Sequence, residues 1–166
     1  MVHARFESVA SEQQQIRRKP IRTIEITVEA FQAASKLIPA DTPLVMINLL
    51  RYREQADYGA RVGVTPCSGR EAYRQRYLVG ALNAVCAHGG RVFWFGNVLA
   101  GVIAPQDERW DDALLVEYPS VDRLPRIYAD PAYQLIAFHR TAALEDSRLI
   151  ATVTASGIAE QRVFPA

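Results

Sequence analysis

Strand-like and helical patterns alternate along this chain in the order β-α-β-β-α-β, and that order constrains the fold more than any other feature. Apolar runs and apolar alternation predict strands at residues 44–52, 91–104, 112–118 and 148–156. Helical periodicity predicts helices over about residues 69–88 and 130–146. This order is the split βαβ, or ferredoxin-like, arrangement. We therefore predict an α+β fold with a four-stranded antiparallel sheet and helices on one of its faces.

Helix-capping residues support these boundaries. Ser68 followed by Glu71 forms a capping box at the start of the first long helix. Asp130 is the expected N-cap of the second long helix, with Pro131 at its first position. Ser120 is the expected N-cap of a shorter helical segment that precedes it.

Composition and patterning divide the chain into one domain and two flanking segments. We predict a single domain over residues 25–154, with an extra amphipathic helix at 27–38. Residues 1–24 are polar and are predicted to be a mobile arm, or an arm that docks on a partner subunit. Residues 155–166 are predicted to be an irregular tail. The long loop at 53–69 is of a length that is usually functional or mobile.

Charge, hydropathy and cysteine content argue against several classes of function. The formal charge is +1, so no net field favours nucleic acid or an acidic membrane surface. No run approaches the roughly 20 apolar residues of a membrane span, and the N-terminus lacks the pattern of a secretory leader. Cys67 and Cys86 are expected to be free thiols in a reducing cytoplasm. Because no CxxC, HxxxH or nucleotide-binding motif occurs, we expect no metal site and no cofactor.

The predicted strands carry apolar side chains on both faces. Helices cover one face of a ferredoxin-like sheet, so the other face needs a separate cover. The simplest cover is the sheet of a second subunit. We therefore predict a homodimer that packs sheet to sheet.

Several segments, taken in order, resemble a known family. They are "VMINLLRYRE", "SGREAYRQRY", "WDDALLVEYPS" and "DPAYQLIAFHRTAALEDSRLI", and together they cover roughly residues 42–152. This combination resembles the DUF1330 family of the dimeric α/β-barrel superfamily. The resemblance implies a ferredoxin-like fold and a dimer. Proteins of similar architecture include cofactor-free monooxygenases, isomerases, cyclases, aldoxime dehydratases and haem-binding enzymes, so the fold alone selects no reaction.

Two polar residues in apolar surroundings are the first candidates for chemistry. Asn48 interrupts the apolar run of the first strand, where it either bonds to backbone or a neighbouring side chain, or presents its amide to a ligand. His139 is placed by a helical wheel near the centre of the apolar face of the last helix. It is either a satisfied core histidine or a general base that faces a cleft, with haem ligation as a third alternative.

Further candidates supply charge and aromatic walls. Arg140 either pairs with an acid or clamps the anionic group of a substrate, and Tyr73 is a candidate donor to a substrate oxygen. Trp94, Trp110 and Tyr118 are candidate pocket walls, although aromatic residues at such spacings are more often core.

Asp111 and Asp112 begin the third strand and point to opposite faces, so they do not form a carboxylate dyad. One of the two is expected to be a turn or cap residue, and the other is a candidate base. Asp112 is also the candidate for substrate binding.

Two functional hypotheses follow. The first is a cofactor-independent isomerase, cyclase or monooxygenase-like enzyme that acts on a small hydrophobic, oxygen-bearing substrate in a cleft between sheet and helices. His139 would be its base, Asn48 and Tyr73 would polarise an oxygen, and Arg140 would hold an anionic group. The second is a non-catalytic ligand-binding or structural homodimer.

Overall fold

The computed structural model describes residues 23–155, which fold into one four-stranded sheet with helices on one face. Almost all of the predicted N-terminal arm and C-terminal tail lies outside the described residues. The helices are α1 (Val28–Leu37), α2, α3 (Arg123–Ala129) and α4 (Pro131–Ala143). Helix α2 consists of an opening turn Gly69–Glu71, a π-helical segment Ala72–Tyr77 and an α-helix Leu78–Ala87. The strands are β1 (Leu44–Tyr52), β2 (Arg91–Asn97), β3 (Asp112–Tyr118) and β4 (Leu144–Val153).

The sheet has the strand order β2-β3-β1-β4, and every neighbouring pair is antiparallel. This is the order that the split βαβ pattern predicts, so the ferredoxin-like fold is confirmed. The central strand β1 pairs Leu44 with Tyr118 on one side and Leu50 with Ser147 on the other. The even-numbered residues of β1 and β3 therefore share the face that the helices cover.

The core lies between that face and helices α2, α3 and α4. Its aliphatic centre comes from the sheet, with Leu44, Leu50 and Leu144 almost fully buried. Its helical side is rich in tyrosine. The rings of Tyr73 and Tyr77 lie 5.0 Å apart, and both are supplied by the π-helical segment of α2.

The predicted caps agree with the structure except at one helix. Ser68 and Glu71 form the complete capping box, and the Asp130 side chain accepts from the Ala132 amide at 2.8 Å. The N-cap of α3 is Asp122 and not Ser120. The Ser120 hydroxyl bonds to the Asp122 carboxylate instead.

Strand pairing explains three predicted boundaries that are wrong. Strand β2 ends at Asn97, which pairs with the first residue of β3, so residues 98–111 have no strand partner in the sheet and form a loop. Helix α4 ends at Ala143, three residues early, because Leu144 already pairs with Tyr52 in the sheet. Strand β4 therefore begins at Leu144 and not at Arg148.

The other face of the sheet carries no covering element from residues 23–155. Ile47, Trp94, Leu115 and Ile150 lie on this open face, where Trp94 and Ile150 are each about half exposed. Over the same described residues, no helix has the length and apolar character needed to cross a bilayer.

Candidate functional site

A cavity of about 350 Å³ lies between α1, the edge strand β4 and the helical layer. Most of its wall is apolar. The apolar lining residues are Ile24, Ile26, Ala30, Phe31, Ala34, Met46, Leu124, Leu149, Ile150 and Ala151. The polar lining residues are Thr23, Glu25, Thr27, Arg140, Ser147 and Arg148. A mostly apolar recess with a few convergent polar groups is typical of a small-molecule site.

The segment that precedes α1 forms one wall because it bonds to strand β4. The amide of Ser147 donates to the Thr23 carbonyl at 2.8 Å, and the Thr23 hydroxyl donates to the Ser147 carbonyl at 2.9 Å. The Thr23 amide in turn donates to Asp146 at 2.8 Å. Thr27 then caps α1 by accepting from the Ala30 amide. These bonds hold α1 over the edge of the sheet and leave the cavity beneath it.

Arg140 supplies the positive charge of this cavity. Its side chain is only 8% exposed, and it donates to the Ile24 carbonyl at 2.5 Å and to the Ser147 hydroxyl at 3.3 Å. Among residues 23–155, no carboxylate lies within ion-pair distance of its guanidinium. An arginine stays charged even when it is buried. The cavity therefore contains a desolvated cation that the described residues do not neutralise.

Four tyrosines lie within electrostatic range of Arg140: Tyr73, Tyr77 and Tyr133, which are buried, and Tyr128, which is partly buried. The hydroxyls of Tyr77 and Tyr133 are 3.0 Å apart and bond to each other. Burial raises the pKa of each of the four phenols well above its usual value. They remain neutral at physiological pH, so none of them compensates the arginine.

The two other ionisable groups of the cavity already have partners. Arg148 pairs with Asp146 at 2.6 Å, and its guanidinium lies 5.1 Å from the ring centroid of Trp110. Glu25 is exposed and accepts from the Thr141 hydroxyl at 2.6 Å. Glu25 is thus an accessible carboxylate that lines the same cavity as the buried Arg140.

A family model described as a domain of unknown function, DUF1330, matches residues 63–153 of this chain. The chain belongs to the DUF1330 family. A solved relative is RPA0582 from Rhodopseudomonas palustris, described as a protein of unknown function. It is 36% identical, covers 81% of this chain and 98% of its own, and superposes with a TM-score of 0.70. The methylated form of RPA0582 gives 35% identity, 82% and 97% coverage, and a TM-score of 0.71.

More distant structures share little with this DUF1330 chain beyond general architecture. A hydroxynitrile lyase from Passiflora edulis is 12% identical over 70% of this chain and 96% of its own, with a TM-score of 0.47. That likeness is too weak to carry a functional argument. A search of curated proteins found no match.

Of the site residues predicted from the sequence, only Arg140 lines the cavity. Asn48 faces the helical layer, and its amide donates to the Met46 carbonyl at 3.1 Å and to the Leu114 carbonyl at 3.4 Å. Of the alternatives given for Asn48, the structure therefore shows the one in which its side-chain amide bonds to the backbone. Tyr73 and Tyr118 are buried in the core.

Asp112 belongs to a buried ion cluster instead of a substrate site. Its carboxylate accepts from the Tyr52 hydroxyl at 2.6 Å, from Arg74 Nη2 at 2.7 Å and from Arg70 Nη1 at 3.1 Å. The neighbouring Asp111 accepts from the Tyr52 amide at 2.8 Å. Asp112 is fully buried with its oxygens occupied, so it acts as a structural anion that joins β3 to α2.

The two tryptophans also lie away from the cavity. Trp94 is on the open face of the sheet. Trp110 lies near the end of the loop before β3, and its indole N–H donates to Glu108 at 3.1 Å.

His139 lies on the flank of α4, outside the cavity. The helical wheel that centred the apolar face on His139 is wrong, because Leu135 on that face is 76% exposed. The buried side of α4 instead carries Tyr133 and Arg140. The His139 Nδ1 atom lies 2.8 Å from the Tyr58 hydroxyl. Burial lowers the His139 pKa, and nearby arginines lower it further.

Sequence reasoning missed the wall that α1 and its leading segment provide. Ile24, Glu25, Phe31 and Ser147 line the cavity, yet none of them was predicted as a site residue. The amphipathic pattern of residues 27–38 signals that this helix packs on something. It does not indicate that the helix docks against β4.

Proposed function

We propose that this protein binds a small amphipathic anion in the cavity beneath α1. One carboxylate, or a comparable pair of oxygens, would contact the Arg140 guanidinium. A short hydrocarbon or aromatic body would lie against Met46, Phe31 and Leu149. The observation that carries this proposal is a buried arginine, without a carboxylate partner among the described residues, in a mostly apolar cavity.

The energetics favour an anionic ligand over a neutral one. A desolvated guanidinium loses much of its hydration free energy, and an opposite charge with good hydrogen-bond geometry restores part of it. Arginine presents a planar fork of donors that matches a carboxylate. The apolar wall contributes roughly 25 cal/mol for each Å² of ligand hydrocarbon that it removes from water. The cavity volume of about 350 Å³ limits the ligand to a small molecule.

Binding is tested by a thermal-shift panel of hexanoate and benzoate, with hexanamide and benzamide as neutral counterparts. The acids should stabilise the wild-type protein, and the amides should do so far less. Arg140→Met should abolish the difference, while Arg140→Lys, which keeps the charge, should retain part of it. Arg126→Met is the matched control, because Arg126 is an exposed arginine of α3 that pairs with Asp122 and does not line the cavity. Equal stabilisation by acids and amides in the wild type would reject the anion site.

Catalysis in this cleft is the second candidate, and one observation favours it. Glu25 and Arg140 line the same cavity, and a base together with a cation suits proton abstraction next to a carbonyl. In a cofactor-free isomerase or cyclase, Glu25 would take the proton and Arg140 would hold the developing enolate. NMR detection of deuterium exchange at the carbon next to the carbonyl of bound ketoacids tests this role. Glu25→Gln should abolish the exchange and leave affinity within about threefold.

A homodimer through the open sheet face is the assembly that best accounts for the exposed apolar surface. Besides Trp94 and Ile150, Leu99, Val102 and Ile103 in the loop after β2 are 94%, 95% and 99% exposed. Exposed apolar side chains at this density usually mark an interface.

The dimer is tested by sedimentation of the variant Val102→Asp with Ile103→Asp. We expect these changes to weaken a dimer by about a hundredfold or more, since each places a charge where the dimer would bury an aliphatic side chain that is exposed in the single chain. Val62→Asp, at a 94% exposed valine in a different loop, is the matched control and should leave the dimer intact. A wild-type protein that sediments as a monomer would reject this assembly.

A further inference from the structure

Five side chains form a cluster on the flank of α4: Tyr58 and Arg61 from the loop after β1, Arg76 from α2, and Phe138 and His139 from α4. None of them lines the Arg140 cavity. Backbone bonds hold the loop in place: the Ala56 amide donates to the Cys67 carbonyl at 3.0 Å, and the Asp57 amide to the Ala142 carbonyl at 2.9 Å. The cluster is therefore built on anchored backbone.

Aromatic rings fix both guanidiniums of this cluster. Arg61 lies 4.3 Å from the ring centroid of Phe138. Arg76 lies 5.8 Å from the ring centroid of Tyr58 and donates to its hydroxyl at 3.2 Å. The rings of Tyr58 and Phe138 meet edge to face with their centroids 6.0 Å apart. A guanidinium stacked on a ring is oriented by the contact, while most of its N–H groups remain available to a ligand.

Neither arginine forms an ion pair with any of residues 23–155. The acid with an electrostatic effect on Arg76 is Glu71. Its carboxylate, however, accepts from the Ser68 amide at 2.9 Å and from the Ser68 hydroxyl at 2.8 Å in the capping box. Two arginines held against aromatic rings thus belong to this cluster, and no carboxylate of residues 23–155 forms an ion pair with either of them.

His139 completes the cluster as a third donor. Arg76 donates to the Tyr58 oxygen, so the phenol O–H can donate to Nδ1 of a neutral imidazole, and in that tautomer the ring proton lies on Nε2. Burial lowers the His139 pKa, and Arg76 and Arg61 lower it further. The other titratable groups near the cluster are Tyr58, Cys67 and Glu71, and burial raises the pKa of the Tyr58 phenol.

We propose that Arg61, Arg76 and His139 form a binding site for a tetrahedral oxyanion, the phosphate group of a free phosphate or a small phosphate monoester. Two fixed guanidiniums and an imidazole N–H are donors that suit the several oxygens of such a group. The site is separate from the Arg140 cavity and does not depend on the function proposed for it.

The probe is sulfate, since it has the same shape as phosphate and keeps its charge across the range in which histidine titrates. The experiment follows the imidazole signals of the full chain by NMR as a function of pH, with sulfate or chloride at equal ionic strength. The spectrum of His139→Gln assigns the His139 signal. Sulfate should raise the His139 pKa by about half a unit or more, because it offsets the two guanidinium charges. Affinity for sulfate should correspondingly increase as the pH falls.

Variants separate this site from general charge screening. Arg61→Gln and Arg76→Gln should each weaken sulfate binding by about tenfold. The control is Arg126→Gln, at an exposed arginine of α3 that pairs with Asp122 at 2.7 Å, and it should bind sulfate like the wild type. The proposal would be overturned if sulfate left the His139 pKa of the wild type unchanged. It would also be overturned if the His139 pKa rose as much in Arg61→Gln and in Arg76→Gln as in the wild type. Phosphate and phenyl phosphate, tested next, distinguish a free anion from a monoester by their relative affinities.

Discussion

The ion cluster around Asp112 gives the most quantitative prediction about stability. Asp112→Asn keeps the shape of the side chain but removes its charge and turns one acceptor into an amide donor. That donor would face the Arg74 guanidinium, which now reaches both carboxylate oxygens at 2.7 and 2.8 Å. The Tyr52 hydroxyl, 2.6 Å from the carboxylate, would also lose a charged acceptor.

The magnitude follows from burial. Removing one partner of a fully buried ion pair costs about 3–5 kcal/mol of unfolding free energy. Arg70 and Arg74 are 42% and 33% exposed, so both can partly regain water. We therefore expect Asp112→Asn to lower the unfolding free energy by about 2–4 kcal/mol, below the range for a fully buried pair.

Urea unfolding at neutral pH and fixed protein concentration measures this loss. Arg126→Gln, which removes an exposed ion pair on α3, should change the unfolding free energy by less than about 0.5 kcal/mol. The reasoning is refuted if Asp112→Asn costs no more than this control. The cluster would then contribute little to the attachment of α2 to β3.

Two further predictions concern a close backbone approach at Gly69 and the partly buried imidazole of His139. A Cβ at Gly69 would lie 2.4 Å from the Ala143 carbonyl oxygen, so Gly69→Ala should lower the free energy of unfolding in urea by about 2 kcal/mol or more. The control is Gly80→Ala, whose Cβ would meet only the flexible end of Ile136. It should change the free energy of unfolding by less than about 1 kcal/mol. Because the folded-state pKa of His139 is lowered, the unfolded chain takes up its proton first as the pH falls, and the native protein loses stability below about pH 6.5 in anion-poor buffer. His139→Gln should remove that loss, and an unchanged dependence of unfolding free energy on pH would contradict the role assigned to His139.

Most of the fold could be predicted from the sequence because its central strands carry strong local patterns. Strands β1 and β3 were predicted with their observed bounds, since β1 is an apolar run broken only by Asn48 before its polar end and β3 has an apolar centre. The end of α4 was not predictable, because residues 144–146 pair with β1 only after the sheet has formed. The end of β2 was likewise not predictable from the sequence, since residues 98–104 have an apolar, strand-like pattern but no partner in the sheet.

The candidate site was predictable only in part. Arg140 stood out as a charged residue at the edge of an apolar helix face, and it lines the cavity. His139, its neighbour in sequence, was assigned to the same face, although successive residues of a helix point in different directions. The cavity wall depends on α1 docking against β4 through Thr23 and Ser147, which are 124 residues apart. No local pattern signals such a contact.

The central claim is that Arg140 is the anion partner of a small ligand, and one calorimetric cycle tests it most directly. The affinities of hexanoate and hexanamide are measured for the wild-type protein and for Arg140→Met. The account predicts that the wild type prefers hexanoate by about tenfold or more, as expected of a charge-assisted hydrogen bond, and that Arg140→Met loses this preference while still binding the amide. The claim would be contradicted if the wild type and Arg140→Met bound hexanoate equally well, or if neither protein bound it.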